Sequence, residues 1–361
     1  MTARVFHLAL AHFEAARRLP NLPAGHPARR LHGHGFLVRL RAELPAGWAS
    51  PGVEEDALKA ALAHCIEPLD HRDLNTLLPT PSDENLARWV RDRLALPGRA
   101  CVGIQSRHDQ GVDLDGVGHA HLWRRFRFES AHRLPNVPPG HPCGRMHGHG
   151  FEVILHADQD RDDRGVDGDQ LAALWAPLHA ELHQTCLNDI PGLENPTSEL
   201  LARWIWVRLA SELPGLSWVT VQETATAGCH FDGLHYRIWK EQRFEAALCL
   251  RHAPAGDARR RLHGHSYLLR LHLTAPLDQV LGWTLDYGEV KRLFQPLYVR
   301  LDHHRLDLLD GVESADPGGL ARWIREHIQT DLPELDRIDL YPTPDHGVSL
   351  CWGKLGPALP V

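Results

Sequence analysis

One phrase, written three times, constrains this chain more than anything else in it. It reads HFEAARRLPNLPAGHPARRLHGH from His12, RFESAHRLPNVPPGHPCGRMHGH from Arg127 and RFEAALCLRHAPAGDARRRLHGH from Arg243. The closing His-Gly-His triplets, His32/His34, His147/His149 and His263/His265, sit 115 and then 116 residues apart. A period that long has room for a hydrophobic core in every copy, so the chain reads as three whole domains in tandem rather than a short solenoid repeat. The expected boundaries are 1–118, 119–235 and 236–361. The joins are short, so packed units rather than beads on linkers are expected.

Each copy continues alike. After the HGH comes an alternating apolar run (FLVRLRAEL from Phe36, FEVILHA from Phe151, YLLRLHL from Tyr267). Alternation with period two marks a half-buried strand. Helical patterns follow at 56–69, 169–182 and 288–301, and again around the LARW motifs at 86, 201 and 320. Strand-like runs at 100–106, 217–224 and 337–343 close the units, with one further strand expected after each. Strands with grouped helices predict an α+β class, helices on one face of an antiparallel sheet.

A formal charge of -7 with no long run of one sign argues against nucleic acid or an anionic membrane as partner. No apolar stretch approaches the ~18 residues of a membrane span, and MTARVFHLALAH is too short and polar for a secretory signal. Seven cysteines without paired spacing suit reduced thiols, hence a cytoplasmic location.

The 27 histidines are the anomaly. Residues i and i+2 of a strand share a face, so His147 and His149 project together, with Gly148 adding no bulk. The strand before them ends in FESAH, and the loop can return His132 beside them. Three imidazoles and an open position make a catalytic-type zinc site. The first copy has Arg17 and the third Leu248 where the second has His132, so their HGH pairs read as relics or structural residues, and one zinc ion per chain is expected. Cys143, four residues before His147, has no counterpart in Ala28 or Arg259; near a metal its thiol should have a lowered pKa and serve as base or nucleophile.

These motifs resemble the 6-pyruvoyl-tetrahydropterin synthase family. The second copy is similar nearly throughout to its bacterial 6-carboxytetrahydropterin synthase branch, in FESAHRLPNVPPGHPCGRMHGHGF, LNDIPGLENPTSELLARWIW and VQETATAGC. The other copies match more loosely. The resemblance implies a T-fold (tunnelling fold) repeated three times, each unit with a four-stranded antiparallel sheet and two helices, closing a pseudo-trimeric barrel. It implies zinc on His132, His147 and His149, a pterin anchored by Glu223, and proton transfer by Cys143 with an Asp-His pair from a neighbouring unit. The second unit lacks that pair, with Leu182-His183-Gln184-Thr185 in its place, whereas the outer units keep Asp70-His71 and Asp302-His303. The outer units in turn have Ser106 and Pro342 where Glu223 stands. The third unit is more family-like just upstream (GWTLDYGEVK), the first in its Pro81-Ser82-Asp83-Glu84, so either pair could complete the set, with Asp302-His303 slightly favoured.

The implied reaction is that of a lyase of queuosine (7-deazapurine) biosynthesis. It converts 7,8-dihydroneopterin triphosphate to 6-carboxy-5,6,7,8-tetrahydropterin with release of acetaldehyde and triphosphate. Arg133 and Arg145 are candidates to meet the triphosphate. Alternatives are a pyruvoyl-forming or aldolase-type reaction on the same substrate, or a pterin- or zinc-binding protein without catalysis. Family trimers pair head to head, which implies a homodimer here.

Overall fold

The computed structural model describes residues 3–50, 52–159 and 167–353. Every repeat builds the same elements in the same order. A long first strand (Arg4–Arg17, Ala120–His132, Tyr236–Leu248) leads through a loop and one 3-10 turn to a second strand (His32–Ala42, His147–Gln159, His263–Thr274). Two helices follow, Glu54–Ile66 and Asp83–Leu94, Gly168–Leu182 and Ser198–Leu209, Tyr287–Leu301 and Pro317–Ile328. Two more strands complete the repeat (Ala100–Arg107 and Gln110–Leu114, Leu216–Thr224 and Ala227–Phe231, Leu335–Thr343 and His346–Cys351). This is an α+β T-fold written three times, and the extra closing strand expected from the pattern is present in each copy.

The first two strands of a repeat run antiparallel; in the first copy Phe13 faces Phe36 and Arg17 faces His32. That register repeats one core feature. Phe13 stacks on Phe36 at 4.6 Å, Phe128 on Phe151 at 5.0 Å and Phe244 on Tyr267 at 4.9 Å, measured between ring centroids. Each second-strand ring lies two residues past the HGH, hence on the same face as its histidines and deeper in the core. A stacked pair adds about 0.5–1.5 kcal/mol beyond its buried area. The second helix of each repeat starts on a side-chain cap, Ser82, Thr197 and Asp316, each accepting a backbone N–H three residues on.

By contacts the chain divides into two compact units. One holds Met1–Ala120, Gln242–Arg270 and Phe294–Val361; the other holds His121–Glu241 together with Leu271–Leu293. A stretch of the third repeat therefore folds with the second repeat.

Short parallel pairings add to the antiparallel sheet of the repeats. Residues after the first helix form a two-residue parallel strand on the repeat's own first strand, Arg72–Asp73 in the first copy and His304–Arg305 in the third, with a single bridge from Ala131 to Cys186 in the second. The chain reaches that edge by a left-handed residue: His71, Gln184 and His303 have φ of 53°, 58° and 58°. Each of these three donates its backbone N–H to the first strand, to the carbonyls of Glu14, Glu129 and Glu245 respectively.

Candidate metal centre and pocket

Among the described residues, one group of potential ligands converges: His132, His147, His149 and Glu223, with one ligand atom from each lying within 4.8 Å of all the others. His132 ends the first strand of the second repeat, the two other histidines open the second strand, and Glu223 comes from the third. The glycine between the histidines matters, since a Cβ on Gly148 would stand 3.1 Å from the Ser130 carbonyl oxygen.

Hydrogen bonds set which ring nitrogen faces the cluster. His132 Nδ1 donates to the Pro196 carbonyl at 3.1 Å and His147 Nδ1 to the Arg145 carbonyl at 2.7 Å, so both rings turn Nε2 inward as acceptors. Nε2 of His132 and of His149 are buried without a hydrogen-bond partner. Glu223 Oε1 lies 3.7 Å from the first and 3.1 Å from the second. Burial holds the pKa of His132 below its usual value. Burial pushes Glu223 upward, but the neighbouring histidines outweigh it and hold its carboxyl below the ordinary range. Imidazole nitrogens and a carboxylate oxygen gathered this closely, with Nε2 of His132 and His149 lacking hydrogen-bond partners, are a donor set that fits a divalent cation.

Glu223 was expected only as the pterin anchor. The fold also makes it a neighbour of the histidines, a placement the sequence could not show because the carboxylate arrives from a strand some 90 residues after His132.

Cys143 sits half-buried in the 3-10 turn Pro142–Gly144. Its thiol is pushed up, first by burial and then by the charges of Glu223 and Asp286. The lowering expected from the sequence belongs to a thiol near a metal, and a bound dication would act in that sense. A cavity of about 590 Å³ is lined by Cys143, Arg145, His147, His149, Glu223, Lys240 and Tyr287. A smaller one of about 220 Å³ adjoins it at Cys143 and Glu223 and is walled by Ser198, Glu199, Trp283 and Asp286. Trp283, Asp286 and Tyr287 come from the third repeat and belong to the same compact unit. Glu199 is buried and accepts both the backbone N–H and the hydroxyl of Thr284, at 2.8 and 3.0 Å; burial raises its pKa.

Asp70-His71 and Asp302-His303 lie in the other compact unit. In each pair the aspartate stands 2.9 Å from Nδ1 of the following histidine, whose side chain is 75% exposed. The same aspartates accept a first-strand N–H, from Glu14 at 2.8 Å and from Glu245 at 2.9 Å. These bonds, with the adjacent histidines, hold both carboxyls below the ordinary range. In the second repeat His183 Nδ1 accepts the matching N–H from Glu129, so the structural acceptor survives there while the exposed imidazole is replaced by Gln184.

The first repeat fills its own vacated position. Arg17 Nη1 donates to Asp83 at 2.6 Å and to the Pro81 carbonyl at 3.0 Å, the counterpart of the carbonyl that holds His132. Ser106 donates to the other oxygen of Asp83 at 2.7 Å. Burial, with the Arg17 charge second, lowers His34 to about 4. In the third repeat Leu248 is simply buried.

The fold and this cluster define a tandem T-fold protein with one candidate metal centre among its described residues. The chain belongs to the 6-pyruvoyl tetrahydropterin synthase family, whose model matches it three times, over residues 9–105, 121–233 and 237–351. It is similar to a 6-carboxy-5,6,7,8-tetrahydropterin synthase of Synechocystis sp., 37% identical over 119 residues that make up 30% of this chain and 91% of the relative. A dihydroneopterin monophosphate aldolase of Pyrococcus furiosus is 28% identical over 119 residues, 32% of this chain and 97% of that protein. Among solved structures, the 6-pyruvoyl tetrahydropterin synthase of Caenorhabditis elegans aligns with 31% of this chain and 92% of its own, at 17% identity and a TM-score of 0.30.

Proposed function

We propose that the chain is a zinc-dependent lyase that converts 7,8-dihydroneopterin triphosphate to 6-carboxy-5,6,7,8-tetrahydropterin, acetaldehyde and triphosphate, serving 7-deazapurine (queuosine) synthesis. The observation that carries the reading is the convergence of His132, His147, His149 and Glu223, the last three of which line one cavity together with Cys143. Zinc, held by the three histidines, would supply Lewis acidity toward the substrate's side-chain hydroxyls. Cys143, which borders both cavities, would serve as a proton-transfer group. Glu223, with two carboxylate oxygens, can meet the donor-rich amino-pyrimidine edge of a pterin. Arg145 and Lys240 place cationic groups on the same cavity wall, suited to a phosphorylated side chain.

The second acid-base group, a histidine oriented by an aspartate, is assigned by the family resemblance to Asp302-His303 or Asp70-His71. Separate His303→Ala and His71→Ala variants decide between them. The test of the whole reading is Cys143→Ala. It should lower turnover by about 10²–10⁴-fold while zinc stays bound; full activity in that variant contradicts the assignment. The similarity to an aldolase supports a second reading, cleavage of the side chain to a hydroxymethyl pterin, which differs in its product.

A further inference from the structure

The turn that carries Cys143 is clasped by a residue from another repeat. His141 caps the turn: its Nδ1 accepts the backbone N–H of Cys143 at 3.2 Å. On the far side of the ring, Nε2 lies 2.8 Å from Oδ2 of Asp286. These two contacts fix the imidazole. A nitrogen that accepts from Cys143 carries no proton, so in the neutral ring the proton is on Nε2, and Nε2 donates to Asp286. Asp286 is itself held, because its other oxygen, Oδ1, accepts the N–H groups of Gly288 and Glu289 at the start of helix Tyr287–Leu301. Trp283 packs near the same ring, 5.8 Å between centroids. The side chains of His141 and Asp286 are 25% and 23% exposed, enough shielding for a charge-assisted bond to hold its geometry.

We propose that Asp286 and His141 are positioning residues for Cys143: the third-repeat carboxylate selects the His141 tautomer that caps the thiol's turn, and so sets where the sulfur sits in the pocket. This deepens the proposed function, on which its catalytic consequence rests. It also gives the stretch 271–293 a task inside the second repeat's site, beyond walling the cavity.

The third repeat shows that an imidazole cap is not required to form this turn. In the third repeat the cap is Asp257, whose oxygen accepts the N–H of Arg259 at 2.9 Å and binds the same residue's guanidinium. A carboxylate therefore caps this turn as well as an imidazole does. What the imidazole adds is a second hydrogen-bonding nitrogen, which reaches Asp286.

Asp286→Asn separates positioning from folding. Asparagine is as good a helix cap as aspartate, so Oδ1 keeps the bonds to Gly288 and Glu289. Its other atom becomes an NH2 donor facing His141 Nε2–H. Relieving that clash by moving the ring proton puts N–H against the Cys143 N–H, so either tautomer loses one bond. The measurement is alkylation of the zinc-loaded full chain by iodoacetamide, with Cys143 followed by peptide mass spectrometry, alongside kcat and KM for the pterin.

The expected result is faster alkylation of Cys143 than in wild type, at unchanged zinc content and melting temperature. With it, kcat should fall by about 10–100-fold while KM changes little, as a small misplacement of a reacting group produces. His141→Asn, which keeps a cap acceptor but not the reach to Asp286, should show the same faster alkylation. Asp286→Asn also removes a charge that pushes the thiol up, so His141→Asn, which keeps that charge, decides: a Cys143 alkylation rate equal to wild type in His141→Asn overturns the inference. No turnover of the pterin by wild type, with the alkylation change intact, would refute the reaction and leave the clasp standing.

Discussion

His132→Leu isolates the metal from the fold, because the chain already contains the control. Leu248 occupies the matching position of the third repeat and is 2% exposed, against 0% for His132. The substitution leaves the Pro196 carbonyl without the ring N–H that now bonds it at 3.1 Å, at a cost of about 1–3 kcal/mol. Burying the leucine side chain returns roughly 1.5–3 kcal/mol. Metal-free stability should therefore stay within about 2 kcal/mol of wild type. Zinc should separate the two proteins. At a free concentration 100 times its Kd, an ion that binds only the folded state stabilises by about 2.7 kcal/mol. For a cooperative unit of this size that is a rise of roughly 5–10 °C in Tm. The assay is differential scanning calorimetry of wild type and variant, each with EDTA and with zinc, after metal analysis of the desalted protein. Wild type should carry one zinc per chain and show the rise, and His132→Leu should lose most of both. Equal zinc content and an equal rise in the variant would refute the ligand set.

Two residues of the first repeat test whether the position matching the metal centre is held there by the protein's own cation. Asp83→Ala leaves the Arg17 guanidinium buried without its carboxylate, and urea denaturation should show a loss of about 3–5 kcal/mol; a change too small to measure would mean that the pair is dispensable. His34 contributes a pH dependence of known sign. Its folded pKa, about 4, lies below the unfolded value of 6.5, so the unfolded chain takes up the proton first. Stability is then full above pH 6.5 and falls as the pH drops from there to about 4, by at most roughly 3 kcal/mol. In His34→Gln the stability curve should be flatter over that interval, and an unchanged slope would show that His34 titrates freely in the folded chain.

The threefold repeat, the element order, the closing strand and the shared face of His147 and His149 were all legible, because each depends on local periodicity or on spacing within one repeat. The choice of His132 as the third imidazole was legible too, by comparing the copies, since Arg17 and Leu248 mark where the others lost it. What could not be read depends on where distant segments meet. Glu223 reaches the histidines across the sheet, and Asp286 reaches His141 from 145 residues away in sequence. The forces that push the Cys143 thiol up were not legible either, since burial comes first and the two carboxylates that add to it arrive from another strand and another repeat. The retained Asp-His pairs, Asp70-His71 and Asp302-His303, carry a double meaning. Their aspartates are backbone acceptors for the first strand as well as partners of an exposed histidine, and only the second repeat, where His183 keeps the first task and Gln184 abandons the second, shows that the two can be separated.

The most direct test is to supply the zinc-loaded protein with 7,8-dihydroneopterin triphosphate and identify the products by mass spectrometry. The account predicts 6-carboxy-5,6,7,8-tetrahydropterin together with acetaldehyde and triphosphate. A 6-pyruvoyl or 6-hydroxymethyl pterin, or recovery of unchanged substrate, would contradict it.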